Sequence, residues 1–156
     1  YNTSGITLLL CPGGRTGSYS IPAGVTSIGD EAFRGCTGLT SFAVTPGNTH
    51  FSSVDGLLYN ASGTTLLVCP GGRTGGYSIP AGVTSIGSTA FSGCTGLTSV
   101  TLPASVTSIG GGIFTTVVDV ARRIAAATKS VAHQISSTSA YAGSHRRGVV
   151  SSYQYQ

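Results

Sequence analysis

The side chains able to do chemistry in this chain of 156 residues are few and scattered. The acids are Asp30, Glu31, Asp55 and Asp119, the histidines His50, His133 and His145, and the thiols Cys11, Cys36, Cys69 and Cys94. A nucleophilic triad needs a Ser, a His and an Asp brought together, and abundant serine makes chance pairs cheap. No two cysteines are spaced C-x-x-C, so no zinc pair is suggested. The segment CPGGRTG, at residues 11–17 and 69–75, has the glycines of a phosphate loop. It lacks the G-K-[ST] ending and a following helix, and reads instead as a turn after a strand. These residues therefore predict no catalytic group, no metal ligand and no cofactor, and the expectation is a protein that is not an enzyme.

Binding chemistry is better represented. Charged residues make up only 8% of the chain, and their balance is uneven. Arg15, Arg34 and Arg73 are matched by Asp30, Glu31 and Asp55, whereas Arg122, Arg123, Lys129, Arg146 and Arg147 face Asp119 alone, so the net +4 resides in residues 115–156. Arg15 and Arg73 occupy equivalent positions and form the start of a basic row. Together with Arg146 and Arg147 they are the candidate contacts for an anionic ligand. Tyr141, Tyr153 and Tyr155 would add stacking surface, but five cations over some forty residues is thin for a nucleic-acid site, and nucleic acid is not an expected partner. Asn2 and Asn60 each begin an N-x-[ST] sequence and are candidate glycosylation sites in a eukaryotic secretory chain; in a bacterial one they are simply good turn residues.

The elements that must position these groups are set by repetition. Residues 1–41 match residues 59–99 at an offset of 58, with 34 of the 41 positions identical. A shorter period lies inside. Ile79-Pro80-Ala81-Gly82-Val83-Thr84-Ser85-Ile86-Gly87 returns 23 residues later as Leu102-Pro103-Ala104-Ser105-Val106-Thr107-Ser108-Ile109-Gly110, and a looser copy begins at Val44. The 58 thus divides into coils of 23 and 35 residues. The longer coil carries two apolar runs around Asn60-Ala61-Ser62-Gly63, which predicts a β-hairpin. Each coil offers a short strand, such as residues 97–102, then a turn through Pro and a compact segment ending in Ala-Phe-x-x-Cys. One coil cannot bury its own apolar side; stacking at about 4.8 Å does so in columns. The inward columns are Ile21/Ile79/Leu102, Val25/Val83/Val106, Ile28/Ile86/Ile109 and Phe33/Phe91/Phe114. The cysteines fall into two equivalent classes, Cys11/Cys69 and Cys36/Cys94. Members of one class lie two coils apart, about 10 Å, which is too far for a disulfide. Their expected role is a buried ladder of small hydrophobes; a cross-link between classes, such as Cys11 with Cys36, stays open.

The pattern I-P-x-x-V-T-S-I-G-x-x-A-F-x-x-C-x-x-L-T-S-V resembles the BspA-like leucine-rich repeat family, over residues 1 to about 114. The segment FSSVDGLLYNASGTTLLVCPGG, residues 51–72, resembles a coil variant of the same family. The resemblance implies a β-rich leucine-rich repeat solenoid with a parallel sheet and hairpin inserts, an extracellular or cell-surface location, and roles in adhesion. Fold alone does not fix function.

The repeat text fades after Phe114. Val117, Ala121, Ile124, Thr128, Val131 and Ile135 then follow steps of 4, 3, 4, 3, 4, which predicts an amphipathic helix over residues 116–135. Such a helix caps the last coil, associates with another copy, or lies on a membrane surface; its Ala- and Val-rich side disfavours the last. No stretch reaches the roughly 18–20 apolar residues needed to span a bilayer. Residues 136–156 form a Ser/Tyr-rich basic tail with a β-forming end. At the other end, Tyr1 aligns with Tyr59 inside the predicted hairpin, so the repeat register opens in mid-hairpin with an uncovered coil face. The expectation is a head-to-tail homopolymer in which Tyr1, Leu8, Leu10, Val117, Ile124, Val131, Val149, Val150, Tyr153 and Tyr155 associate. The alternative is part of a surface adhesin that binds a protein or glycan of a host or neighbouring cell.

Overall fold

The computed structural model describes residues 6–111 and 124–125. Each coil contributes two short strands, and the coils follow one another along the stack. The first holds β1 (Thr7–Leu8) and β2 (Thr16–Ile21), and the second β3 (Ser27–Ile28) and β4 (Gly38–Val44). An insert follows with β5 (Phe51–Val54) and β6 (Leu57–Asn60). The third coil holds β7 (Thr65–Val68) and β8 (Gly75–Ser78), the fourth β9 (Ser85–Ile86) and β10 (Leu97–Thr101), and the last β11 (Ser108–Ile109) and β12 (Ile124–Ala125). Among the described residues there is no helix.

Equivalent residues of neighbouring coils pair in parallel. Thr7 lies opposite Ser27, Thr65 opposite Ser85 and Ser85 opposite Ser108. On the other face Tyr19 meets Phe42, and Tyr77 meets Val100. This is the arrangement the repeats predict, because one period of sequence advances the chain by one strand spacing. The columns are filled as expected. Ile21, Ile79 and Leu102 are buried, as are Val25, Val83 and Val106, and Ile86 and Ile109. Phe91 is buried and Phe33 partly so, while Phe114 lies outside the described residues. The Pro-x-x-Val turn is the same each time: the Val25, Val83 and Val106 amides donate to the carbonyls of Pro22, Pro80 and Pro103.

The insert interrupts the stack. The hairpin around Asn60 forms as predicted, with β6 antiparallel to β7, Leu58 opposite Val68 and Tyr59 opposite Leu66. Asn60 fixes its turn, the Oδ1 accepting from the amides of Thr64 and Thr65 at 2.9 and 3.0 Å. A second hairpin precedes it: β5 runs antiparallel to β6 through Asp55 and Gly56, whose φ angles are 51° and 78°. Two positive φ values in a two-residue loop mark a turn that suits the right-handed twist of its strands. The pair β6–β5 lies along the edge of β7, so β3 does not pair with β7 and β4 does not pair with β8. The core accordingly falls into two clusters. Leu58 of β6 packs with Leu8, Tyr19, Ile21, Leu39 and Phe42, whereas its neighbours Leu57 and Tyr59 pack with Leu66, Tyr77, Ile86 and Val100. Successive side chains of a strand point to opposite faces, so the unbroken run Leu-Leu-Tyr is that of a strand buried on both sides.

The C-terminal helix predicted over residues 116–135 is corrected at Ile124–Ala125. These residues form a strand parallel to β10, with Ile124 opposite Val100 and Ala125 opposite Thr101. An apolar stripe is compatible with either element, and the open edge of β10 offers backbone partners that favour a strand. The rest of that segment and the tail, residues 136–156, lie outside the described residues.

Candidate functional site

The described surface carries one concentration of exposed large apolar side chains. Ile6, Leu9 and Leu10 of the first coil are 45%, 55% and 61% exposed. Their equivalents 58 residues on are Thr64, Leu67 and Val68, and Leu67 and Val68 are only partly exposed. The difference has a local cause: β6 lies along β7, with Leu58 directly opposite Val68. Leu10, one of the residues expected to self-associate, is exposed, and so is Leu9, which the sequence analysis did not single out. Leu8, also expected to self-associate, is instead 2% exposed and lies opposite Ile28 in the core. Tyr1, Val117, Val131, Val149, Val150, Tyr153 and Tyr155 lie outside the described residues, as do Asn2, Arg146 and Arg147; Ile124 is placed by its backbone alone.

The two arginines of the CPGGRTG turns are stacked on tyrosines. The Arg15 guanidinium lies 4.9 Å from the ring centre of Tyr19, and that of Arg73 5.1 Å from the ring centre of Tyr77. A cation over a ring face is attracted by the ring quadrupole and is held flat against the surface. Arg73 also donates to the carbonyl of Asp55, which ties the third coil to the β5–β6 turn. Arg15 is exposed and Arg73 half-buried, so the two equivalent cations do not present the same surface. Beneath Arg73 the Tyr59 and Tyr77 hydroxyls are hydrogen-bonded at 3.0 Å. Burial, then that bond, pushes the Tyr59 phenol well above its ordinary range, and burial likewise raises Tyr77. This pair is a structural tie.

Asn60 is half-buried, and its Nδ2 donates to Thr64 Oγ1 at 3.1 Å. Its amide is the group that closes the hairpin turn. A second asparagine was not singled out by sequence reasoning. Asn48 donates from Nδ2 to the carbonyls of Pro22 and Val25, both at 2.9 Å, and its Oδ1 accepts from the amides of His50 and Phe51 at 2.8 and 3.0 Å. It stands where the Val25/Val83/Val106 column would continue.

All four cysteines are buried. Cys36 Sγ lies 3.6 Å from the Cys11 carbonyl oxygen and 3.5 Å from that of Pro12. Cys94 repeats this at 3.4 and 3.5 Å from the carbonyls of Cys69 and Pro70. Burial, then the neighbouring Cys36, pushes the Cys11 thiol up to about 11. The hydrogen bond with Cys94, then burial, raises Cys69 further. Among the described residues no group of three His, Cys, Asp or Glu side chains could hold a metal ion. A crevice of about 150 Å³ beside Arg34, Cys36, Gly71 and Gly93 gathers no set of reactive side chains.

Known structures share this architecture. The pneumococcal vaccine antigen PcpA is 28% identical with a TM-score of 0.56, over 61% of this chain and 24% of that one. A leucine rich cell surface protein of Faecalibacterium prausnitzii A2-165 is 37% identical with a TM-score of 0.55, over 62% of this chain and 26% of that one. A leucine-rich repeat protein of Eubacterium ventriosum ATCC 27560, at 24% identity and a TM-score of 0.57, covers 69% of this chain and 33% of its own and shares the fold. This chain therefore spans between a quarter and a third of the length of those structures. No curated protein matches it. The BspA type leucine rich repeat region matches residues 15–61 and 75–136 in six copies, and so reaches beyond residue 114, where the obvious repeat text fades. With most of its length matched, the chain belongs to the BspA type leucine rich repeat family.

Proposed function

We propose that this chain is a repeat module of a cell-surface interaction protein, which acts through its surface and not through catalysis, and that its first coil is a contact face for a second copy. The observation that carries this reading is the exposure of Ile6, Leu9 and Leu10 together on the first coil. An apolar strand edge is a template for another strand. A head-to-tail contact of this kind generates a filament if it does not close into a ring.

Light scattering across a wide concentration range tests the contact. The expected result is a mass that rises with concentration, and a Leu9→Lys/Leu10→Lys variant that remains a folded monomer. A wild-type chain monomeric at every concentration overturns it.

The second reading is an adhesin module for a host or neighbouring-cell ligand, free of self-association. It is favoured by the likeness to a leucine rich cell surface protein and to a vaccine antigen. A monomer that binds intact cells saturably, with binding unaffected by the lysine substitutions, supports it over assembly.

A further inference from the structure

We propose that the four cysteines are two disulfide sites, Cys11 with Cys36 and Cys69 with Cys94, each stapling one coil to the next. The pairing goes beyond the surface role proposed above and does not depend on it. The repeat places the two thiols of each pair in successive coils, where the separation of about 4.8 Å between neighbouring strands falls within the roughly 4.4–6.8 Å between Cα atoms that a disulfide requires. The coils are joined beside each pair: the Cys11 amide donates to the Ala32 carbonyl at 2.5 Å and the Cys69 amide to the Ala90 carbonyl at 2.7 Å. The side chains converge as well. Cys11 Sγ and Cys36 Sγ lie 3.8 and 3.5 Å from one oxygen, that of Pro12, and Cys69 Sγ and Cys94 Sγ lie 3.8 and 3.5 Å from that of Pro70. Two weak donors share one acceptor in each case. The same geometry occurs twice, 58 residues apart.

The step is thiol–disulfide exchange with a small-molecule disulfide. One protein thiolate attacks a sulfur of the oxidant and expels one thiolate from it. The second protein thiol, deprotonated, attacks the resulting mixed disulfide and expels the other. Two protein S–H bonds are lost, one S–S bond forms and the oxidant is reduced to two thiols. All four cysteines are 1–2% exposed in the closed stack, so exchange belongs to the folding chain, before the coils close. Closure then shields the bonds from reductant.

The test refolds the full chain in a buffer of oxidised and reduced glutathione, quenches it with iodoacetamide under denaturing conditions, and weighs and digests the product. The expected result is no alkylated cysteine, a mass lower by about 4 Da for two bonds, and linked peptides joining residues 11 to 36 and 69 to 94. A Cys69→Ser/Cys94→Ser variant should still form the first bond and lose about 2 Da, which reads each pair separately. Four alkylated cysteines in the soluble refolded chain, a Cys36–Cys69 link, or bonds formed only between molecules would overturn the proposal.

Discussion

Replacing Asn48 tests how the chain leaves its coil. Residues 45–48 make the same turn as the Pro-x-x-Val segments, the Asn48 amide donating to the Thr45 carbonyl at 3.2 Å, but the column residue is Asn where it is otherwise Val. The side chain makes four hydrogen bonds, two down to the carbonyls of Pro22 and Val25 and two up from the amides of His50 and Phe51. A hydrogen bond contributes about 1 kcal/mol net when buried, and less where water replaces the partner. Asn48 is half-buried. With half of each contribution recovered by water, Asn48→Ala should cost about 2 kcal/mol. Asn48→Val restores the column type and should cost as much, because valine satisfies none of the four groups. Urea unfolding measures both, and hydrogen exchange at His50 and Phe51 should accelerate in each. A loss below about 0.5 kcal/mol for Asn48→Ala, within the range of an ordinary surface substitution, would refute the assignment.

Leu57→Ala and Leu58→Ala should each cost about 2–5 kcal/mol but loosen different halves. Hydrogen exchange should rise mainly at Leu66 and Ile86 for the first and at Leu39 and Phe42 for the second, following the two clusters. A Cβ at Gly72 would meet the carbonyl oxygens of Leu39 and Thr37 at 2.8 and 2.9 Å, whereas one at Gly24 meets nothing within 4 Å. Gly72→Ala should therefore lower the urea midpoint strongly, and Gly24→Ala should leave it unchanged or slightly higher. In alkali the reduced protein should lose stability as the pH rises from 9, the ordinary value for Cys11, towards about 11, because the folded state keeps a proton that the unfolded chain releases. Arg15 and Arg73 oppose this at Cys11 and Cys69 but are outweighed by burial and the partner thiols. The disulfide form should hold its midpoint to higher pH, until Tyr59 and Tyr77 contribute, and a flat profile for the reduced chain would contradict the assignment.

The coils were legible because their signal is redundant. Each column is specified by two or three residues at one spacing, and backbone pairing follows once the period is known. The Asn60 turn was legible for the same reason, as a turn-forming segment between two apolar runs. What escaped sequence reasoning occurs once. The strand β5 is half Ser and polar-flanked, and its evidence is the Asp55-Gly56 pair, a strong hairpin signal that is easily taken as the start of the following strand. Asn48 is visible only as an exception within its column. At Ile124 the apolar spacing obeyed a helical period, yet an unpaired sheet edge took the backbone. Periodicity reports which side chains want burial; it does not report which neighbour is available.

The insert gives these observations a common cause. A solenoid of uniform coils would pair β3 with β7 and β4 with β8 and would have one continuous core. Here β6 stands between them, with Leu58 facing one half and Leu57 and Tyr59 the other. Cys11 and Cys36 lie in the first half and Cys69 and Cys94 in the second, so each proposed staple strengthens one half without locking the hairpin joint. The joint is held instead by Asn48 below, by Arg73 on the Asp55 carbonyl above, and by the apolar faces of β6. An apolar strand edge met by a hairpin therefore accounts for how the two halves are joined within the chain.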